Sequence, residues 1–361
     1  MALLRSALHS ITAAAGVAFH ERHGWDLVMV YSTAEEEYQA VTTAAGVHDT
    51  SYMGRLKAIG DDGLDLLNRL STNKVLDLEP GQGAPTILTT DRGRILDLIG
   101  VVNVDDYILL ITSPGAQQQV IDWLDKYTIM EDLVVEDITE ETTMLSVLGP
   151  ASQVAVESAA GILLNELPPY HSLTAEMAGH RVRIVNRPFG ELPSFDLLMD
   201  PDAAAGVWDH LSASGVLPVG EEAFEAVRLS YAVPAYGHEL GESYNPLEAG
   251  LIGSIDFTKG CYIGQEVIAR LDTYQKIQKH LVSLEFSADA TVFEGDTLND
   301  DGREVGKVTS VTRIPAGQGL IGLAYVRKAS ASPGNVLELT DSSSGQAEIM
   351  ALPQMFGPEQ S

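Results

Sequence analysis

The stretch Lys259-Gly260-Cys261-Tyr262-Ile263-Gly264-Gln265-Glu266 is the most unusual in the chain. It precedes Val267, Ile268 and Leu271, whose spacing predicts a helix with one buried stripe. Cys261 is then expected near a helix N-terminus and beside Lys259. Both features favour a thiolate, the nucleophilic and metal-binding form of cysteine. The competing reading is a small buried hydrophobe. The neighbouring charges bear on the choice. Between 259 and 280 lie Lys259, Arg270, Lys276, Lys279 and His280, against Glu266 and Asp272. Such a basic island serves either ion pairing at a domain boundary or the landing of an anionic ligand or partner.

The island stands out because the rest is acidic. The 361 residues carry 22 Lys and Arg against 51 Asp and Glu, a net charge of −29 at pH 7. Binding to nucleic acid or to anionic lipid needs the opposite sign, so neither is expected. The length suits two or three domains with a sizeable core. Cys261 is the only cysteine, which excludes an internal disulfide, a CxxC zinc site and an iron–sulfur cage built by one chain alone; no metal site is expected. No apolar run reaches the roughly 18 residues of a membrane helix. Met1 to Phe19, rich in Ala and Leu but broken by Arg5 and His9, reads as the N-terminal helix of a cytoplasmic protein rather than a signal peptide. No GxxxxGK[ST] loop, GxGxxG helix start or GxSxG elbow is present. His20-Glu21-Arg22-His23 has the wrong spacing for a zinc helix and reads as a polar surface segment.

The patterning is mixed. Thr33 followed by Ala34-Glu35-Glu36-Glu37 predicts a capped helix over 33–45. Leu64, Leu67 and Leu70 predict another over 61–71. Residues 86–90, 95–103 and 107–112 read as an antiparallel meander. Helices are expected at 114–126, starting at Pro114, and at 151–160, 202–214 and 221–231. Strands are expected at 55–59, 145–148, 181–185 and 195–199. Without strict βαβ alternation this is α+β rather than doubly wound. From about 280, short strands at 280–286, 304–314, 319–326 and 336–339 alternate with Gly-containing turns, including Pro315-Ala316-Gly317 and Ser342-Ser343-Ser344-Gly345. That texture predicts a small β-barrel or sandwich, with a boundary at 276–280.

The octapeptide resembles the KGC[YF]xGQE signature of the YgfZ-type folate-binding proteins. Gly24-Trp25-Asp26, Val47 to Gly54, Leu70 to Asn73, Leu148-Gly149-Pro150, Tyr236 to Leu240 and Pro246 to Leu251 are similar to the glycine cleavage T-protein, an aminomethyltransferase and a relative of that family. The resemblance implies a three-domain cloverleaf: two interleaved α+β subdomains over 1–276 and a C-terminal β-barrel over 277–361. It implies tetrahydrofolate as cofactor, held by Asp196 and Arg228 with Met53 and Lys259. Asp97 would work near the reactive folate nitrogens, and Cys261 would be the reactive thiol. The T-protein lacks the cysteine motif, whereas YgfZ-type proteins are linked to making or maintaining iron–sulfur clusters in other proteins. The leading expectation is therefore a cytoplasmic folate-binding protein with iron–sulfur clients as partners. A folate-dependent one-carbon transferase or demethylase and a non-catalytic assembly scaffold are the alternatives. His48, His238 and Glu239 lie in T-protein-like segments and are expected to be structural.

Overall fold

Thr33 shows how local chemistry sets an element here. Its hydroxyl accepts the Glu36 amide at 3.2 Å, and Glu35 to Glu37 fill the first helical turn, where their charge meets the positive end of the helix. Glu37 does more. Its buried carboxylate accepts the backbone amides of Tyr31, Ser32 and Gly220 at 2.6, 2.7 and 2.8 Å, tying three segments together.

The computed structural model describes residues 3–164, 167–274, 276–315, 317, 319–340 and 344–353. Met1, Ala2, and the turn residues Ala316, Ser342 and Ser343 lie outside the described residues. The chain begins with α1 (His9–Ala14), β1 (Phe19–Arg22), β2 (Trp25–Val28), α2 (Ala34–Thr43), β3 (Gly46–Asp49), β4 (Gly54–Ile59) and α3 (Gly63–Leu70). Next come β5 (Gly83–Thr89), β6 (Ile95–Asn103), β7 (Ile108–Thr112), α4 (Gln117–Tyr127), β8 (Val134–Asp137), β9 (Thr143–Leu148) and α5 (Ser152–Ala160). Then follow β10 (Ser172–Met177), β11 (His180–Asn186), β12 (Ser194–Met199), α6 (Ala204–Ala213), β13 (Leu217–Val219), α7 (Glu221–Ser230) and α8 (Gln265–Thr273). The last strands are β14 (Lys279–Phe286), β15 (Thr297–Asp300), β16 (Arg303–Arg313), β17 (Leu320–Arg327), β18 (Val336–Leu339) and β19 (Gln346–Ala351).

A six-stranded sheet has the order β10-β11-β12-β9-β3-β13, in which β10 to β3 pair antiparallel with their neighbours and β13 runs parallel to β3. A five-stranded sheet runs β5-β6-β7-β4-β8. The expected meander is its β5-β6-β7 half. The β-rich C-terminal texture becomes a closed barrel, β14-β17-β16-β15-β18-β19, filled by Val282, Leu284, Leu298, Val326, Leu337 and Ile349 among others. Closure leaves no free sheet edge. The fold class is thus the expected mixed α and β architecture with a C-terminal β-barrel. The first sheet buries Val47, Leu145, Val147, Ile184 and Leu197 against helical residues such as Val156, Val207 and Leu211.

By internal packing the chain divides into two compact units. One comprises 1–68, 75–85 and 99–227; the other comprises 69–74, 86–98 and 228–361. Among the described residues no helix is long and apolar enough to cross a membrane.

Several expected boundaries move. The N-terminal helix is only α1. Gly16 at φ +79° ends the helical region, and Phe19–Arg22 pairs as a hairpin with Trp25–Val28 across His23 and Gly24, both at positive φ. The segment His20 to His23 is therefore a strand and its turn. Helix α4 starts at Gln117, not Pro114, because Gly115 sits at φ +75° and Ala116 is the N-cap. The helix expected from 202 begins as a 3-10 turn, Pro201–Ala203, before α6. Strands β2, β3, β8, β10, β13, β15 and β19 have no counterpart among the expected strands.

Candidate functional site

The first unit carries a polar row inside an otherwise apolar sheet. Asp196 on β12 pairs in register with Ser146 on β9, and Ser146 with His48 on β3. Directly opposed residues share a face, so three polar side chains line up across three strands. All three are buried, and Asp196 is fully so. The Ser146 hydroxyl donates to Asp196 Oδ1 at 2.6 Å and lies 2.9 Å from Thr50 Oγ1. Arg187, just past β11, donates from Nε to Asp196 Oδ2. Burial lowers the Arg187 pKa, but the charge and hydrogen bond of Asp196 outweigh it and raise the value. Tyr170 is buried beside this pair, its ring against Gly100 of β6; burial dominates in holding its phenol neutral.

His48 ends the row. Its Nδ1 lies 2.8 Å from the Val219 carbonyl, which only accepts, so Nδ1 carries hydrogen. Nε2 is 3.1 Å from Glu221 Oε1 and 3.2 Å from the Tyr52 hydroxyl, and the ring stacks on Phe224. Burial disfavours the imidazolium, yet the Glu221 hydrogen bond and charge prevail and raise the His48 pKa. Arg22 completes the group, with Nε 3.4 Å from Glu221.

Met53 is placed by a residue the sequence reading passed over. Arg55 has no exposed surface and spends all five guanidinium hydrogens on its surroundings. Nε donates to Thr142 Oγ1, Nη1 to the carbonyls of Ser51 and Met53, and Nη2 to those of Thr139 and Thr142. Burial lowers its pKa to about 10. Nothing in the β-strand pattern at 55–59 signalled this cage.

The second unit holds the other expected residues. Asp97 is fully buried on β6, and its charge, after burial itself, raises the Tyr236 phenol pKa. Arg228 is buried at the end of α7. Nη1 donates to the Val233 carbonyl at 2.8 Å and to Glu239 at 3.1 Å. Glu239 also accepts the Ser310 hydroxyl at 2.6 Å and the Ala235 amide at 2.9 Å, so it anchors the 235–240 loop to β16. His238 is partly exposed, 3.1 Å from Glu294.

The cysteine loop is tightly held except at the thiol. Lys259 donates to the carbonyls of Ser71 at 2.9 Å and Asn73 at 2.7 Å, and its ammonium lies 5.3 Å from the Tyr262 ring centroid. The Ile263 amide donates to Arg69 O at 3.1 Å, and the Thr89 hydroxyl to Ile263 O at 2.7 Å. Cys261 is exposed, which excludes the buried-hydrophobe reading. The helix-dipole rationale also needs correction. Helix α8 begins at Gln265 with Gly264 as N-cap, so Cys261 precedes the cap and lies outside the first turn, where the dipole acts. Of the expected stripe only Ile268 is fully buried; Val267 and Leu271 are half-buried.

Two predictions arise here. Gly264 has φ +85°, and a Cβ there would lie 2.6 Å from the Thr90 carbonyl oxygen. Gly264→Ala is expected to lower stability by about 2–3 kcal/mol, read by scanning calorimetry as a lowered transition temperature. A change under about 0.5 kcal/mol would mean that the loop is not held as described. The second concerns Lys259, whose pKa burial lowers to about 8 while Asp256 resists. The native chain then releases this proton more readily than the unfolded one. Native stability should rise with pH from about 8 towards 10.5 in the wild type but not in Lys259→Met. Side-chain amine NMR checks the midpoint directly. A value near 10.5 would show that the two carbonyls hold the proton against burial.

Fold and sequence together define a class. Residues 8–259 match the family described as GCVT N-terminal domain, and residues 279–354 match the glycine cleavage T-protein C-terminal barrel domain. The chain belongs to this glycine cleavage T-protein superfamily. Among relatives, it is 35% identical over 321 residues to an Arabidopsis thaliana protein named "Putative transferase At1g60990, chloroplastic", covering 88% of this chain and 74% of that one. It is 30% identical over 345 residues to an aminomethyltransferase of Geobacillus kaustophilus, covering 93% and 94%. The crystal structure of the glycine cleavage system aminomethyltransferase T from Bartonella henselae shares the fold, with TM-score 0.85 at 21% identity over 98% of this chain and all of that one.

Proposed function

We propose that this chain is a tetrahydrofolate-binding protein of the YgfZ type that supports the assembly or maintenance of iron–sulfur enzymes. The observation that carries the reading is the cysteine loop. Lys259, Tyr262, Ile263 and Gly264 are all engaged, while the single thiol stands exposed. A loop that spends its other residues on holding one thiol outward suits contact with a client protein. One cysteine per chain makes any cluster contact transient or dependent on the client's ligands. In this reading Asp196 and Arg228 bind the folate, with Met53 and Lys259 beside it, and Asp97 faces the reactive nitrogens. A buried carboxylate pairs well with the two adjacent N–H groups of a pterin amidine edge.

The test is calorimetric titration of the metal-free protein with tetrahydrofolate, followed by complementation of cells lacking the gene. One-to-one saturable binding is expected. Cys261→Ala should bind folate as the wild type does, yet fail to restore iron–sulfur enzyme activity. No binding up to millimolar folate would remove the reading. Loss of folate binding in Cys261→Ala would count against separate roles.

A second reading, folate-dependent transfer of an aminomethyl or methyl carbon, is favoured by the burial of Asp97 beside Tyr236. A carboxylate in that setting can take the proton released when a folate nitrogen attacks the carbon. Turnover of a methylamine-type donor with tetrahydrofolate, lost in Asp97→Asn, would decide for it.

A further inference from the structure

We propose that Arg187 selects the ligand of the Asp196 site, admitting pterins with a 4-oxo group and rejecting those with a 4-amino group. The inference rests on the folate reading above and adds the substrate class to it. A carboxylate alone does not make this distinction. A 2-amino-4-oxo ring offers it the 2-amino group and N3–H; a protonated 2,4-diamino ring offers it an equally good pair of adjacent donors.

Arg187 changes the arithmetic of donors and acceptors. Asp196 is already engaged by the Ser146 hydroxyl on Oδ1 and by Arg187 Nε on Oδ2. The guanidinium is a rigid planar fork, so fixing Nε beside the carboxylate also fixes where the Nη donors lie. Among the described residues the guanidinium bonds to Asp196 through Nε, and the side chain is 19% exposed, so solvent reaches its outer edge. Asp196 itself has no exposed surface, so the guanidinium is the part of the pair that an incoming ligand meets, and its Nη donors are there to be met by an acceptor. On a pterin whose 2-amino group and N3–H face Asp196, the adjacent ring substituent is the 4-oxo oxygen, which accepts from Nη. A 4-amino group there sets N–H against N–H. Turning the diamino ring over to present its other edge brings N8–H towards the guanidinium, again donor against donor. Buried Tyr170, which feels both the Arg187 and the Asp196 charge, lies beside the pair.

The experiment is calorimetry of the full chain with tetrahydrofolate and with its 4-amino counterpart, tetrahydroaminopterin. The wild type should bind the 4-amino compound roughly 10- to 100-fold more weakly. Arg187→Lys keeps the charge but loses the fork, and should narrow that ratio to a few-fold. Equal binding of the two compounds by the wild type would overturn the proposal without any variant. So would an unchanged preference in folded Arg187→Lys. Failure of the wild type to bind either compound would overturn the folate reading itself, and this inference with it.

Discussion

Asp196→Ala is expected to destabilise the first unit by about 3–5 kcal/mol, because it leaves the Arg187 guanidinium buried without its carboxylate. The three tryptophans, Trp25, Trp123 and Trp208, all lie in that unit, so urea unfolding followed by tryptophan fluorescence reads it directly. The double variant Asp196→Ala/Arg187→Met should recover most of the loss, since it removes the stranded charge together with its partner. Equal instability of the single and double variants would show that the pair is not the source. Tetrahydrofolate binding should fall below detection in both variants. The two readouts separate a structural role from a recognition role: the double variant regains stability without regaining affinity.

Arg55→Leu has the second largest expected effect, about 3–5 kcal/mol. The leucine leaves four carbonyls and a threonine hydroxyl without their donor in a site closed to water. Arg55→Lys retains the charge with three donors rather than five, and should lose about half as much. Because Nη1 holds the carbonyls of Ser51 and Met53, loosening of that turn should also weaken folate binding where the variant still folds. A loss below about 1 kcal/mol in Arg55→Leu would mean that the cage is dispensable.

How far these features could be read beforehand varies with their physics. The Thr33 cap, the α3 leucines and the meander are local patterns, and their elements form where expected. The barrel followed from turn spacing, yet β15 and β19 escaped. β15 buries only Leu298, and β19 buries only Ala347 and Ile349, leaving little hydrophobic signal. Arg55 read as an ordinary strand residue because its five acceptors come from 51–53 and 139–142, a proximity created by pairing of β4 with β8. Arg187 was equally invisible, since only the β11–β12 pairing brings it to Asp196. The polar row is a register property, and register does not show in a one-dimensional pattern. Asp196, Asp97, Arg228 and Met53 came from family resemblance, whereas Cys261 and Lys259 already stood out in the octapeptide itself.

The division of the chain into interleaved segments has a consequence for synthesis. Residues 69–74 and 86–98 belong with 228–361 but leave the ribosome about 130 residues earlier. At ordinary elongation rates, that is a wait of roughly 7–26 s. The first unit has all its residues by 227, whereas Ile87, Leu88, Ile95 and Leu96, buried in the finished protein, must wait for later partners. During that interval they form a sticky, β-prone segment on the nascent chain, and Asp97 sits among them. Holdase protection, or slowed translation after residue 98, would act on this segment first.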